Sequence, residues 1–122
     1  MDSETLLLRQ IHPTFVQNGR PTSQAFRPTP KDQDQLSVYN GAMIAAAASW
    51  HYHTETLNLE SAGVMGLEHA ECAGQQLNVV EDGVPIPAHC YIDFSGVGKN
   101  DAEKKSKKLA ALAKDRGWLF QR

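Results

Sequence analysis

The residues of this sequence best suited to binding an anion are concentrated near its N-terminus. No carboxylate lies between Glu4 and Asp32, and this stretch carries three arginines, one lysine, one histidine and several hydroxyls. Arginine's planar guanidinium matches phosphate or carboxylate in two-point contact, and hydroxyls add further donors. The candidate ligands are Arg9, His12, Arg20, Ser23, Arg27 and Lys31. In the alternative interpretation, the arginines bind backbone carbonyls or pair with carboxylates elsewhere in the chain, and so hold a loop in place.

Two histidines could perform general acid–base chemistry. Metal-independent RNA cleavage needs one imidazole to accept the 2′-hydroxyl proton, a second to protonate the leaving oxygen, and a cation for the developing charge. His12 and His89 are the candidate pair, with Arg9 or Arg27 as the cation. Histidines that are merely hydrogen-bonded parts of the fold are the structural alternative.

Metal binding and thiol chemistry are less well supported by the spacing. His69 and Cys72 could share a helix face, but His51 and His53 would point about 160° apart on a helix. No recognised ligand motif emerges, so we predict neither a metal nor a cofactor. Adjacent strand residues point to opposite faces, which places His89 poorly to activate Cys90 and predicts a buried structural thiol there.

Hydrophobic alternation predicts the strands that would position these groups. Residues 5–11 alternate with Leu6 and Leu8 on one face and Leu7, Arg9 and Ile11 on the other. Further strands are predicted at residues 36–39, 62–67, 79–80 and 118–120. The stretch 88–94 is the richest in β-forming residues and is expected to be the central strand.

Helical spacing predicts two or three helices. One runs over residues 42–57 with Met43, Ala47 and Trp50 on its core stripe, and a short one over 68–75 ends near Gly74. The C-terminal helix covers 100–116, with Asn100 and Glu103 as a capping box and Gly117 as its terminator. Its core stripe would be Ala102, Leu109, Leu112 and Ala113, which leaves Lys104, Lys107, Lys108 and Lys114 outward.

Residues 9–35, called here the proline-rich segment, contain four prolines and the turn pair Asn18-Gly19. Long loops without structure of their own are uncommon in compact domains. Phe15, Val16, Ala25 and Phe26 are its candidate core anchors, so we expect a docked, ordered segment. Together these elements predict a single small α+β domain over residues 1–122, with a mixed or antiparallel sheet of four or five short strands.

Charge is distributed in three blocks. Residues 5–31 carry four cations and no carboxylate, residues 32–98 carry nine carboxylates and no cation, and residues 99–122 carry eight cations against three carboxylates. Separated charge can build a local field that the net charge of −2 conceals. The lysines of the C-terminal helix could contact phosphates, but the acidic middle and a pI near 6.2 make nucleic acid the less favoured partner. We expect the carboxylates of the acidic block to balance the positive charge of residues 9–31 within the folded protein.

Composition narrows the class of protein. With 122 residues, of which 41% are hydrophobic and 21% charged, the chain is globular in type and fits one domain. No apolar run is long enough to cross a bilayer, and no basic leader precedes an apolar stretch, so we expect neither a membrane span nor a secretory signal. Two cysteines are too few for a disulfide framework, and a cytoplasmic location is expected.

Several short motifs resemble those of a family of small bacterial proteins without an assigned activity. They are Arg9-x-Ile11-His12-Pro13, Gly19-Arg20-x-Thr22-Ser23-x-Ala25-Phe26, Lys31-Asp32, Leu36-Ser37-Val38 and Ala88-His89-x-x-Ile92. The resemblance covers most of the chain, including the lysine-rich helix and Gly117-Trp118. It implies a bacterial, cytoplasmic origin and supplies no activity.

Block charge without a catalytic motif favours a non-enzymatic module that binds a protein partner, of the kind found in defence or toxin–antitoxin-like pairs, or that forms a homo-oligomer. One alternative is a metal-independent enzyme acting on RNA or a nucleotide through His12 and His89. Another is an anion or nucleotide binder without turnover. We expect these classes to be separated by whether Arg9, His12, Arg27 and His89 converge on one concave pocket.

Overall fold

The fold is built on a six-stranded antiparallel sheet, in a computed structural model that describes residues 1–122. The spatial strand order is β6-β7-β4-β1-β5-β8. A separate two-stranded hairpin, β2–β3, lies within the proline-rich segment. The strands are β1 Leu6–Ile11, β2 Val16–Gln17, β3 Arg20–Pro21, β4 Gln35–Asn40, β5 Gly63–Glu68, β6 Asn78–Val80, β7 His89–Asp93 and β8 Phe120–Gln121.

Four helical segments pack on the sheet. Helix α1 covers Ala46–His51 and continues as a π-helical segment over Tyr52–Thr56. Helix α2 covers His69–Ala73, and the C-terminal helix α3 covers Lys99–Arg116 and stops at Gly117, where φ is 89°. None of these helices combines the length and apolar character needed to cross a membrane.

The main core lies between one face of the sheet and α3. Leu7 and Ile11 of β1 are fully buried there, against Leu109 of α3 and Phe26 of the proline-rich segment. The alternation predicted for β1 is therefore confirmed, because Leu8 faces the opposite side and belongs to a second, smaller cluster. Burying this apolar surface supplies the dominant stabilisation of the fold.

Helix α1 covers the opposite face of the sheet and is held there by a buried polar network. The Gln10 amide donates to Ser49 Oγ at 3.0 Å, and the Ser61 hydroxyl donates to Gln10 Oε1 at 2.8 Å. Trp50 Nε1 donates to the Ser61 carbonyl at 3.0 Å. Gln10, Ser49 and Ser61 are all buried, and their mutual hydrogen bonds offset the cost of removing these polar groups from water.

The proline-rich segment is ordered and docked, as predicted. It forms three 3₁₀ turns, over Pro13–Phe15, Ser23–Phe26 and Pro30–Asp32. Asn18 and Gly19, with φ of 54° and 77°, form the tight turn of the β2–β3 hairpin. Ala25 and Phe26 are buried in the main core, and Phe15 and Val16 pack against it.

Several details differ from the sequence predictions. The sheet has six strands rather than four or five, and β4 and β1 occupy its centre while β7 lies next to the edge strand. Helix α1 begins at Ala46 rather than residue 42, so Met43 precedes the helix and is 56% exposed. Helix α3 begins after Gly98, whose lack of a side chain leaves the helix without a side-chain cap, and the Asn100–Glu103 capping box does not form.

The buried face of α3 also differs from the sequence prediction at one residue, Leu112. Leu109 and Ala113 are buried as predicted, together with Ser106 and Ala110. Leu112 is only half-buried. The four lysines that were predicted to face outward, Lys104, Lys107, Lys108 and Lys114, are all exposed.

Candidate functional site

Arg9 lies where the pairing between β1 and β4 ends. Those strands pair only at Leu7 with Asn40 and at Leu8 with Tyr39. Beyond this point Arg9 donates from Nη1 to the Ser37 carbonyl of β4 at 2.9 Å and from Nε to the Ala25 carbonyl at 2.8 Å. The guanidinium thus satisfies a strand carbonyl that backbone pairing leaves free, and it ties the proline-rich segment to the sheet.

Two contacts of Arg9 are therefore structural, because they are hydrogen bonds to backbone carbonyls. They agree with the alternative interpretation, in which the arginines hold a loop in place. The Arg9 side chain is mostly buried, and no carboxylate lies within 4 Å of it. Burial lowers the pKa of the guanidinium to about 10, while the more distant Asp32 acts in the opposite direction. Arg9 remains a cation at neutral pH, and no hydrogen bond engages its Nη2 atom.

His12 follows the end of β1 and shares a pocket with Arg9. This pocket, called here the Arg9 pocket, has a volume of about 410 Å³. Thr14 donates its backbone N–H to His12 Nδ1 at 3.1 Å, and His12 Nε2 lies 3.5 Å from Glu60 Oε2. The lining residues are Arg9, Gln10, His12, His53, Asn58, Leu59 and Glu60.

His53 is the residue of this pocket that sequence reasoning missed as a partner of Arg9 and His12. It was considered only as a metal ligand, but the π-helical segment places it near the end of β1. Its Nδ1 atom is buried without a hydrogen-bond partner. Burial lowers the pKa of His53 to about 4, and the charges of Arg9 and His12 add to this effect. No sequence signal predicted this placement, because the π-helical register changes where the side chain points.

His89 lies in a different part of the sheet from His12. Tyr39 pairs with both Leu8 and His89, so His89 is two strands away from Leu8, and His12 lies four residues beyond Leu8. With about 3.3 Å per residue and 4.8 Å between strands, the two histidines are roughly 16 Å apart. One substrate phosphate cannot contact both imidazoles at that distance, so the geometry gives the proposed acid–base pair no support.

The surroundings of His89 are those of a structural histidine. Its Nδ1 atom contacts Asp82 Oδ1 at 2.7 Å, and its ring packs edge-on against Tyr39 at a centroid distance of 5.6 Å. Burial raises the pKa of Tyr39 to about 12. None of the pockets in the fold is lined by His89.

Arg20 belongs to a second group of charged residues at the C-terminal end of α3. Arg20, Lys114 and Asp115 line a pocket of about 490 Å³, and Arg20, Lys114 and Thr22 line an adjoining one of about 380 Å³. The Thr22 hydroxyl is buried without a partner. We call Arg20, Thr22, Lys114 and Asp115 the Arg20 cluster. Ser23 lines neither pocket and starts the Ser23–Phe26 turn instead.

Arg27 belongs to a third group, near the start of α3. Arg27, Asp34 and Lys99 line a pocket of about 590 Å³ whose apolar wall includes Phe94 and Val97. We call Arg27, Asp34 and Lys99 the Arg27 cluster. Lys31 is exposed and lies outside the lining. The four predicted cations therefore do not form one site: Arg9, Arg20 and Arg27 lie in three different pockets.

The fold brings the two basic blocks of the chain together. The Ser23–Phe26 turn packs against α3, as does β3, so the Arg20 and Arg27 clusters lie at the two ends of this contact. Lys99 and Lys114 are fifteen residues apart on α3, which corresponds to about 22 Å along the helix axis. Neither lysine, nor Arg20 or Arg27, has a carboxylate within 4 Å.

The acidic middle block forms no ion pair with a lysine or arginine of residues 9–31, and its contacts with that segment are the approach of Glu60 to His12 and the more distant charge of Asp32 acting on Arg9. Its only ion pairs with a Lys or Arg involve Arg116 of α3, which contacts Glu71 at 2.9 Å and Glu68 at 3.9 Å. The hydrogen bond to Glu71 raises the pKa of Arg116 above its ordinary value. Direct pairing with the arginines is absent because the proline-rich segment docks on α3, which brings Arg20 and Arg27 beside a second basic block instead.

The two cysteines are free and buried in the main core. Burial raises the pKa of Cys72 to about 12 and that of Cys90 to about 11, and neighbouring carboxylates act in the same direction. His89 and Cys90 alternate in burial along β7 as expected, with Cys90 on the core side. No group of three or more His, Cys, Asp or Glu side chains is arranged to hold a metal ion.

Comparisons with protein-family models, with curated proteins and with solved structures found no match to this chain. The family resemblance of the short motifs therefore gains no support from them.

Proposed function

We propose that the protein is a non-enzymatic module that binds an acidic segment of a protein partner through the Arg20 and Arg27 clusters. The observation that carries this proposal is the meeting of two basic blocks, distant in sequence, along the contact between the proline-rich segment and α3. Their cations have no carboxylate partners within 4 Å. Unpaired surface cations attract an acidic partner at long range and fix its orientation.

The spacing of the clusters indicates the size of the bound segment. An extended peptide rises about 3.3 Å per residue, so about seven residues span the roughly 22 Å between Lys99 and Lys114. A segment with acidic residues at both ends would contact both clusters at once. Linked contacts of this kind bind more tightly than either contact alone, because the second one is intramolecular.

Carboxylates within the clusters favour a protein partner over a nucleic acid. Asp115 lines the same pocket as Arg20 and Lys114, and Asp34 lines the same pocket as Arg27 and Lys99. A uniform phosphate backbone would be repelled at both places, whereas a peptide can present a hydrogen-bond donor or a cation there. The pI of about 6.2 also departs from the strongly basic character of nucleic-acid-binding domains.

The test uses fluorescence anisotropy with labelled probes of defined charge. One peptide carries two Glu-Glu pairs separated by four uncharged residues, and the other carries a single pair. A labelled single-stranded RNA of the same length is the third probe. We expect the two-pair peptide to bind more tightly than the other two, with an affinity that falls as salt is raised.

Matched variants distinguish the clusters from general surface charge. The double variant Arg20→Ser with Lys114→Ser should weaken binding of the two-pair peptide about fivefold to tenfold, since exposed ion pairs contribute about 0.2–1 kcal/mol each. The control is Lys104→Ser with Lys108→Ser, which removes two exposed lysines from the outer side of the same helix. Equal losses in both variants, or tighter binding of the RNA, would overturn the proposal.

A further inference from the structure

The Arg9 pocket is a second site, separate from the two clusters, and one of its lining residues is a cation that makes no ion pair. The Arg9 side chain is mostly buried, and no carboxylate lies within 4 Å of it. Buried charges in proteins are normally paired, because removing an isolated ion from water costs several kcal/mol. The carbonyls of Ala25 and Ser37 accept from Nε and Nη1 but carry no net charge. No protein group engages Nη2, which is not buried and is therefore open to a ligand from solvent.

Two imidazoles at the same pocket also have unused hydrogen-bonding capacity. The backbone N–H of Thr14 donates to His12 Nδ1, which fixes the proton of the neutral ring on Nε2, as a donor directed to the pocket side. His53 Nδ1 is shielded from water and makes no hydrogen bond. The ring lines the pocket, and its other nitrogen, Nε2, is neither buried nor hydrogen-bonded, so it is the atom of His53 available to a ligand.

The backbone that carries His53 strengthens this reasoning. Tyr52–Thr56 is π-helical, and the Leu57 N–H donates to the carbonyl of Tyr52, five residues earlier. Wide turns of this kind inside a helix occur frequently at functional sites. Here the π-helical segment holds an unpartnered imidazole beside Arg9 and His12.

We propose that the Arg9 pocket binds a small anion bearing a carboxylate or phosphate group, whose oxygens accept from Arg9 Nη2 and from the imidazoles of His12 and His53. The volume of about 410 Å³ accommodates a small organic acid or phosphate ester. This ligand site shares no residue with the Arg20 and Arg27 clusters and does not depend on the proposed partner binding.

Glu60 provides a sharp test of the sign of the ligand's charge. It is the single carboxylate that lines the pocket, and its side chain is 71% exposed at the rim, 3.5 Å from His12 Nε2. Its negative charge opposes a bound anion across solvent. Replacing it by Gln should therefore tighten anion binding about twofold to threefold, as expected for one charge several ångströms away in a high dielectric.

The experiment follows the histidine ring protons by NMR as inorganic phosphate or acetate is added at constant ionic strength. Concentrations up to about 20 mM would reveal a millimolar Kd. The resonances of His12 and His53 should shift in a saturable manner with at least one probe, and the better probe identifies the ligand class. His51, exposed and paired with Glu55, is the internal control and should not move.

A bound anion also changes the titration of His53. Arg9 and His12 face its ring as positive or ionisable groups, and Glu60 is the carboxylate of the same pocket. An anion between them stabilises the imidazolium, so the pKa of His53 should rise from about 4 in the presence of a bound probe. His53→Gln should weaken binding severalfold, and Glu60→Gln should strengthen it.

Three outcomes would overturn the proposal. The first is the absence of saturable shifts at His12 and His53 with both probes. The second is an equal movement of His51, which would indicate a general ionic effect. The third is weaker binding in Glu60→Gln, which would indicate a cationic or zwitterionic ligand. Glu60 is exposed and outside the core, so this variant is informative without concern for folding.

Discussion

Arg116 is the cation through which the C-terminal basic block contacts the acidic middle, and its removal should destabilise the protein substantially. Its Nη2 atom lies 2.9 Å from Glu71 Oε2, and its Nη1 atom donates to the Gly66 carbonyl of β5 at 2.7 Å. The side chains of Arg116 and Glu71 are 24% and 15% exposed, so water screens this pair only partly. Arg116→Met keeps the aliphatic part of the side chain and removes both hydrogen bonds.

The magnitude follows from those two bonds. A hydrogen bond to a charged group contributes about 1.5–3 kcal/mol, and removing one member of a partly buried pair leaves the other uncompensated. We expect Arg116→Met to lower the free energy of unfolding by about 3 kcal/mol. The Glu68 contact at 3.9 Å, with a carboxylate that is 37% exposed, adds little.

Lys107 supplies a matched control on the same helix. Its pair with Glu103 spans 3.6 Å, and the two side chains are 64% and 47% exposed. Exposed pairs of this spacing contribute about 0.3–0.5 kcal/mol, so Lys107→Met should cost no more than that. Both variants are compared by urea unfolding, followed by tryptophan fluorescence and circular dichroism, with the m-value verified to be unchanged.

A double-mutant cycle isolates the pair itself. Glu71→Gln keeps an oxygen for the backbone N–H of Glu68, which Glu71 Oε1 accepts at 2.7 Å, but removes the charge that Arg116 contacts. The coupling energy between Arg116→Met and Glu71→Gln should exceed about 1 kcal/mol. A loss below about 1 kcal/mol in Arg116→Met, or one equal to that of Lys107→Met, would refute this reasoning.

Three further predictions address packing, thiols and pH. Gly63→Ala should destabilise the protein by about 1–3 kcal/mol in urea unfolding, because the added Cβ would lie 2.6 Å from the Phe120 carbonyl; an unchanged midpoint would contradict the tight approach of β8. Cys72 and Cys90, with pKa values raised to about 12 and 11, should not react with a thiol reagent at pH 8 until denaturant is added, and rapid labelling of the native protein would show that they are accessible. His53 has a pKa of about 4 in the fold against an ordinary value of 6.5, so the unfolded chain binds its proton first as the pH falls; stability should drop by about 1–2 kcal/mol between pH 6.5 and 4, after allowing for solvent screening, and His53→Gln should show a smaller drop.

The parts of the fold that hydrophobic periodicity controls could be predicted from the sequence. The two faces of β1, the burial of Cys90 and Ile92, and the outward lysines of α3 all follow from which side chains avoid water. The anchors of the proline-rich segment were also identifiable, because Phe15 and Phe26 are the large apolar residues in a polar stretch. These predictions depend on local pattern, which a single sequence contains.

The features that could not be predicted depend on long-range geometry. In the structure, backbone pairing between β1 and β4 ends at Leu8, and the Arg9 guanidinium binds the Ser37 carbonyl of β4 beyond that point. No residue near Arg9 in the sequence indicates where this pairing ends. The position of His53 depends on a change from α-helical to π-helical turns, which leaves no recognised sequence signal. Whether Arg20 and Arg27 pair with the acidic block depended on where the proline-rich segment docks.

The most direct test of the central claim is to map the amide chemical shifts of the protein as the peptide with two Glu-Glu pairs is added. The account predicts that the largest perturbations lie at the two ends of the contact between the proline-rich segment and α3, near Arg20 and Lys114 and near Arg27 and Lys99. The outer lysines Lys104 and Lys108 should be perturbed much less. Perturbations confined to the outer face of α3, or to the α1 side of the sheet, would contradict it.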